Sequence, residues 1–211
     1  MKVFVAGSSG RVGLKTLEKL VEAGHTVTAG ARKPERLPVM DGMTPVDFDL
    51  TLSVDEMARA VKGHAAIIVT AGSAGKSLLQ IDLFGMTQLM QASEKAGVKR
   101  FVLLSSIFAL EPERWVGPGF EQLKDYYIAK YFADLYLTEQ TSLDYTILQP
   151  GSLKEEAGTG QISLNDSQSA PAHIEDVAET LTAILNHPNT IGKVLGMHTG
   201  GEAISEALKA Q

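Results

Sequence analysis

The sequence predicts an α/β fold: a doubly wound, mainly parallel sheet with helices on both faces. Three observations predict it. Short β-rich runs alternate with longer helical patterns, several of those runs are continuously apolar, and a glycine array separates the first run from the first helix. Continuous apolar runs suit strands buried on both faces, as in a parallel sheet covered by helices. Regular alternation implies βαβ units with right-handed crossovers.

Taken in order, the strands read as "KVFVAG" (2–7), "TVTAGA" (26–31), "TPVDFD" (44–49), "AAIIVTAG" (65–72), "KRFVLLSS" (99–106) and "DYTILQPG" (144–151). The first helix shows an apolar face of Leu14, Leu17, Leu20 and Val21, with Gly24 as its C-terminal cap. "SVDE" at 53–56 is a capping box, Ser53 with Glu56, opening a helix to about Lys62. Residues 76–96 form a long helix closed by Gly97, and another runs from about Phe120 to Gln140. Beyond Gly151 the pattern loosens. Residues 151–172 read as a long loop with one short strand at Gln161–Leu164. A helix from Ile174 to Asn186, a strand at Lys193–His198 and a last helix from about Glu202 follow.

The chain has 211 residues, 44% apolar and 21% charged, in proportions expected of one soluble domain spanning 1–211. A net charge of −6 argues against nucleic acid or an anionic membrane as the main partner, since both favour a basic face. The absence of cysteine removes disulfides, thiolate metal sites and a cysteine nucleophile, and fits a cytoplasmic location. The apolar run Val3–Ala6 is too short for a signal peptide or a membrane span. His25, His64, His173, His187 and His198 are scattered without metal-ligand spacing, so no metal is expected. His173 alone falls in a plausible pocket segment, and Asp176 reads as a helix-start residue.

"VAGSSGRVG" sets Gly7, Gly10 and Gly13 between the first strand and the first helix. Glycine permits the tight turn and brings backbone N–H groups close to a pyrophosphate, and the helix N-terminus adds partial positive charge. NAD enzymes place an acid at the end of the second strand, about 20 residues past the turn, for the ribose 2′-hydroxyl. Here Ala31 stands at that position, followed by Arg32 and Lys33. A guanidinium suits a 2′-phosphate, so NADP is expected over NAD, with Arg11 as a second available charge. "GSAGKS" (72–77) imitates a phosphate loop but has Thr70 where the pattern requires glycine. Lys76 is either a surface residue at a helix start or a group near the pocket, and the surface is preferred.

These motifs resemble the short-chain dehydrogenase/reductase superfamily, and within it the compact atypical branch similar to biliverdin reductase B and to NAD-dependent epimerase/dehydratase-like oxidoreductases. The resemblance covers nearly the whole chain. It rests on "GSSGRVG", "VDFDL", "VTAGSAG", "VKRFVLLSS", "YYIAK", "LDYTILQPG", "IEDVAETL" and "GGEAISEAL". It implies a Rossmann domain in which Gly7, Ser9, Gly10, Arg11, Val12 and Gly13 hold the pyrophosphate and Arg32 takes the 2′-phosphate. Asp49 and Leu50 would flank the adenine, Ala71 and Gly72 the ribose side, and Pro150 and Gly151 the nicotinamide. Gln149 departs from the family's arginine at that point. The short segment after Gly151 argues against a sugar-nucleotide epimerase.

Tyr126 and Lys130 share a helix face at a spacing of four, while Tyr127 is rotated about 100° away toward the core or its rim. Their position after the fifth strand resembles the superfamily's catalytic element. The resemblance implies that Tyr126 is the proton donor and that Lys130 holds the nicotinamide ribose and lowers the tyrosine's pKa. Ser105 or Ser106 would bond the substrate oxygen; spacing does not choose between them, and Ser105 is preferred. The expected activity is an NADP-dependent reduction of a small carbonyl, quinone or flavin-like substrate, in a monomer or homodimer. The alternative is an NADPH-binding, redox-sensing regulatory protein with little catalysis. The loops 107–119 and 151–172 follow carboxyl ends of strands and are expected to form the substrate side.

Overall fold

The computed structural model describes residues 1–211. Strand β1 (Lys2–Ala6) leads into α1 (Arg11–Glu22), then β2 (Thr26–Ala31), β3 (Met43–Asp47), α2 (Val54–Val61) and β4 (Ala66–Val69). A π-helical segment (Leu78–Gly85) runs into α3 (Met86–Ala96), followed by β5 (Arg100–Leu104), the short α4 (Pro118–Gln122) and α5 (Lys124–Gln140). The rest comprises β6 (Asp144–Pro150), β7 (Leu153–Lys154), β8 (Gln161–Leu164), β9 (Ala172–His173), α6 (Ile174–Ala183), β10 (Lys193–Thr199), β11 (Glu202–Ala203) and α7 (Ile204–Lys209).

Nine strands form one sheet in the order β11-β8-β10-β6-β5-β4-β1-β2-β3. From β3 to β10 every pairing is parallel, and β8 and β11 close that side antiparallel. The chain is therefore a doubly wound α/β protein of Rossmann type. Its order reverses between β1 and β4, which opens a crevice at the carboxyl ends of those strands.

Period-two geometry sorts the side chains of each strand to two faces. Val3, Val5, Ile68 and Val102 join α1, α6 and α7 in one core. Phe4, Ala6, Ile67 and Phe101 join α2, α3 and α5 in the other. The apolar runs are buried on both sides, which is why they do not alternate. The Ser53–Glu56 capping box is formed in both directions. Gly24 and Gly97 take the left-handed conformation that ends α1 and α3. Pro45 sits on the edge strand β3, where a missing N–H is tolerated. No helix is long and apolar enough to cross a membrane.

Several boundaries differ from the sequence reading. The helix expected over 76–96 starts later and as π-turns, because residues 70–77 are held out as a loop. The buried carboxylate of Asp82 accepts the backbone N–H of Ser73 at 3.1 Å, and Gly85 lies so close to the Leu50 backbone that a Cβ would collide. The helix expected from Phe120 breaks at Leu123 into α4 and α5. The small pair β7–β9 and the edge strand β11 are two residues each, too short for a periodic signal.

Candidate functional site

The glycine turn follows β1 directly. Gly7 has φ +92°, and its Cα packs against the Ala71 backbone with no room for a Cβ. Gly13 is pressed in the same way against the carbonyl of Gly7. Gly10 differs. Its φ of −76° is ordinary, and a Cβ there would meet only the Gly7 oxygen at 3.4 Å. Gly7 and Gly13 therefore build the turn, while Gly10 keeps the space in front of α1 clear. The first N–H groups of a helix lack intrahelical partners, and α1 begins directly after Gly10 at this turn.

A cleft of about 440 Å³ opens there. Of the residues assigned to the cofactor, Gly7, Ser9, Gly10, Arg32, Asp49, Leu50, Ala71 and Gly72 line it. Arg32 is exposed at its rim, beyond the buried Ala31 that ends β2. Val12 and Gly13 are buried under the turn. Arg11 points away, into an exposed ion pair with Glu155 at 3.0 Å. Pro150 and Gly151 end β6, three strands from β1; Gly151 is pressed against the Ala170 carbonyl. Sequence reasoning missed the opposite wall: Thr70, Ser73, Ala74, Lys76 and Ser77 also line the cleft. Lys76 is exposed but stands at the cleft rather than on a remote surface. The false phosphate-loop motif was the available signal, since its Gly72, Ser73 and Ser77 form part of this wall. An open glycine cradle, a helix N-terminus and a cationic rim fit a dinucleotide phosphate group.

The residues expected to act in catalysis lie on α5 and just past the end of β5, and Ser105, Tyr126 and Lys130 do not line this cleft. Tyr126 is half-buried, and the Lys130 ammonium lies 5.7 Å from its ring centroid. Lys130 is buried against the sheet. Tyr127 is buried too, packed at a tilt against Trp115 and Phe120, and its hydroxyl accepts a hydrogen bond from Ser106 at 3.2 Å. Burial raises the Tyr127 pKa, partly offset by that bond. Ser105 is buried, and its Oγ has no partner. Asp134, one turn past Lys130, was not singled out in the sequence; it is fully enclosed and accepts the Gln149 amide at 3.0 Å. Burial pushes its carboxyl up to about 6, against the opposing pull of Ser105, Lys130 and Gln149.

That shift has a definite sign. A raised carboxyl pKa means the ionised form is tolerated less well in the fold than in the unfolded chain. The stability is full below about pH 4, the unfolded aspartate value, and is lost as pH rises through about 6. Asp134→Asn is therefore expected to be more stable than wild type at pH 8, by on the order of 2–3 kcal/mol, with no gain near pH 4. Thermal denaturation at several pH values tests this; a difference independent of pH would dissociate it from the carboxyl.

A second cleft of about 280 Å³ lies between the two long loops, bounded by Phe108, Arg114, Asn165, Asp166 and Gln168, with Gln149 in its lining. Phe108, Asn165 and Ser167 all line it with positive φ. The Arg114 guanidinium stacks 3.4 Å over Phe108 and donates to the Ser167 carbonyl at 2.6 Å. His198 bonds Asp166 at 2.7 Å. Asp176, buried at the start of α6, accepts the backbone N–H groups of Thr159 and Gly160 and so fixes the 151–172 loop; His173 lies 3.6 Å from it. No three His, Asp or Glu side chains converge on a metal site.

Fold and glycine turn together define a dinucleotide-binding Rossmann protein. The sequence matches the NAD(P)H-binding family over residues 7–188, and the chain belongs to that family. The Bacillus subtilis protein called "Uncharacterized sugar epimerase YhfK" is 37% identical over 99% of both chains. The UPF0659 protein YMR090W of Saccharomyces cerevisiae is 35% identical over 100% of this chain and 98% of its own. The crystal structure of the oxidoreductase ylbE from Lactococcus lactis is 53% identical and superposes with a TM-score of 0.98, covering 100% of this chain and 96% of that one. The anaerobilin reductase ChuY of Escherichia coli, 24% identical with a TM-score of 0.80 over 94% of this chain and 97% of its own, shares the fold.

Proposed function

We propose that this protein is an NADPH-dependent oxidoreductase that reduces a small carbonyl, quinone or flavin-like substrate. The observation that carries the reading is a glycine-turn cleft with Arg32 at its rim and no acid at Ala31, on the same sheet end as the Tyr126–Lys130 helix. Bound NADPH would supply the hydride. Tyr126 would donate the proton to the substrate oxygen, so that a carbonyl gains one hydride and one proton. Lys130 would hold the nicotinamide ribose. Ser105 would hydrogen-bond the substrate oxygen, and Pro150 and Gly151 would flank the nicotinamide. The loops 107–119 and 151–172, which face each other over the second cleft, would admit the substrate. We place the activity in a cytoplasmic monomer or homodimer built on one domain.

The direct test is NADPH oxidation against a panel of carbonyls, quinones and flavins. Tight NADPH binding with no turnover on any acceptor would replace the reductase reading with that of a nucleotide sensor. For the cofactor, Arg32→Ala should weaken NADPH binding by roughly 1–3 kcal/mol, the scale of a lost charge-assisted contact, and leave NADH nearly unchanged. Titration of both nucleotides decides it; equal losses for both would remove the 2′-phosphate from Arg32.

A further inference from the structure

Three charged residues line the glycine-turn cleft: Arg32, Lys76 and Asp49. One oxygen of Asp49 is engaged in its own turn, where it accepts the Thr51 N–H at 2.8 Å. Arg32 and Lys76 are exposed, and neither forms an ion pair within the fold. They come from different walls. Arg32 follows β2, and Lys76 belongs to the loop after β4, on the other side of β1. That loop does not stay over β4. It starts at Ala71, packed on Gly7, and leads past Ile81, which lines the cleft, to Gly85, packed on Leu50 beyond β3. Since β3 is the outer neighbour of β2, the segment spans the cleft from the glycine turn to the far side of Arg32, with Lys76 midway between Ala71 and Ile81. The loop is firmly built. Ser73 donates its N–H to the buried Asp82 carboxylate at 3.1 Å, its Oγ accepts the Ser77 N–H at 3.1 Å, and its carbonyl accepts the Lys76 N–H at 3.2 Å. The turn requires left-handed backbone at Ala74 (φ +51°) and Gly75 (φ +79°). Glycine adopts it freely, but alanine does not. Every non-glycine residue with positive φ lines one of the two clefts: Ala74 this one, and Phe108, Asn165 and Ser167 the second. Such strain persists where the surroundings enforce it, and it clusters at ligand sites.

We propose that Lys76 is a second 2′-phosphate-binding residue: from the loop after β4 it meets the phosphate that Arg32 meets from β2, so that both walls of the cleft set a preference for NADPH over NADH. This rests on the NADPH reading above. A phosphate monoester carries about 1.5 to 2 negative charges near pH 7, more than one cation neutralises. The Arg32 guanidinium supplies a planar fork of donors. The Lys76 ammonium is a point charge on a flexible stem with no fixed approach direction, which suits a side chain at an exposed rim. The pyrophosphate has donors of its own in the glycine turn and the start of α1. Lys76 is thus left for the one phosphate that distinguishes the two nucleotides.

The experiment is calorimetric titration of wild type, Lys76→Ala and Arg32→Ala with four ligands: NADPH, NADH, adenosine 2′,5′-bisphosphate and ADP. The bisphosphate carries the 2′-phosphate without a pyrophosphate, and ADP carries the pyrophosphate without a 2′-phosphate. Lys76→Ala should weaken NADPH and the bisphosphate about 5- to 20-fold, the range of one charge-assisted contact at an exposed rim, and leave NADH and ADP within about twofold of wild type. Equal losses for NADPH and NADH, or a loss on ADP rather than on the bisphosphate, would assign Lys76 to the pyrophosphate and overturn the proposal. Unchanged affinity for all four ligands would make Lys76 a surface residue and overturn it as well. The Arg32 variant separates this failure from that of the cofactor reading. If wild type binds NADH as tightly as NADPH, the NADPH reading fails and this proposal with it. If wild type prefers NADPH, and the preference disappears in Arg32→Ala but survives intact in Lys76→Ala, only the role of Lys76 is lost.

Discussion

Tyr126→Phe should collapse kcat by about 10²–10⁴-fold, the range of a lost general acid, with NADPH affinity intact. Tyr127→Phe should keep its activity. The two tyrosines are adjacent in sequence and their rings are 5.6 Å apart, so the pair controls for helix disruption. Their surroundings differ. Tyr127 is enclosed by Trp115 and Phe120, and its hydroxyl is already engaged by Ser106. Removing that hydroxyl costs about one hydrogen bond of stability, roughly 1 kcal/mol, and nothing directed at a substrate. Tyr126 remains half-buried beside Lys130. Steady-state kinetics of the two variants, with thermal denaturation of each, tests the assignment. Activity lost in Tyr127→Phe but kept in Tyr126→Phe would reduce the motif to a helix face.

Gly10→Val should abolish nucleotide binding in a protein that still folds. The φ at Gly10 suits any residue, and a Cβ there has room within the protein. The valine branches would instead fill the space in front of α1, where a pyrophosphate must approach the backbone. Gly7→Ala and Gly13→Ala should behave differently, because both collide with backbone and should fail by unfolding. Calorimetric titration with NADPH and circular dichroism separate the two outcomes. Normal NADPH binding by Gly10→Val would make the turn purely structural.

The parallel sheet was legible because burial on both faces leaves an unbroken apolar signature, as in Ala66–Val69. The glycine turn was legible because its geometry excludes side chains at Gly7 and Gly13. What sequence missed is tertiary. Asp134 reads as one more polar residue on a helix; only packing reveals that it is sealed in beside Ser105 and Gln149. Arg11 looked available to a phosphate; in the fold it also meets Glu155, 144 residues away, in an ion pair exposed to solvent. Residues 70–77 looked like strand end and helix start, and the buried Asp82 carboxylate makes them a loop. Gln149 looked like the loss of an arginine; its amide instead donates to one oxygen of a buried carboxyl.

The two edges of the long sheet bear on how this protein behaves at high concentration. A free strand edge is a template for another chain, and a nine-stranded sheet would be expected to offer two. One edge is β3, where Pro45 removes a donor and Asp47 adds an exposed charge. The other is β11, only two residues long, with the exposed Glu202 as one of them. Neither margin presents a continuous ladder to a second molecule, so strand-to-strand aggregation is blunted at both ends of the sheet.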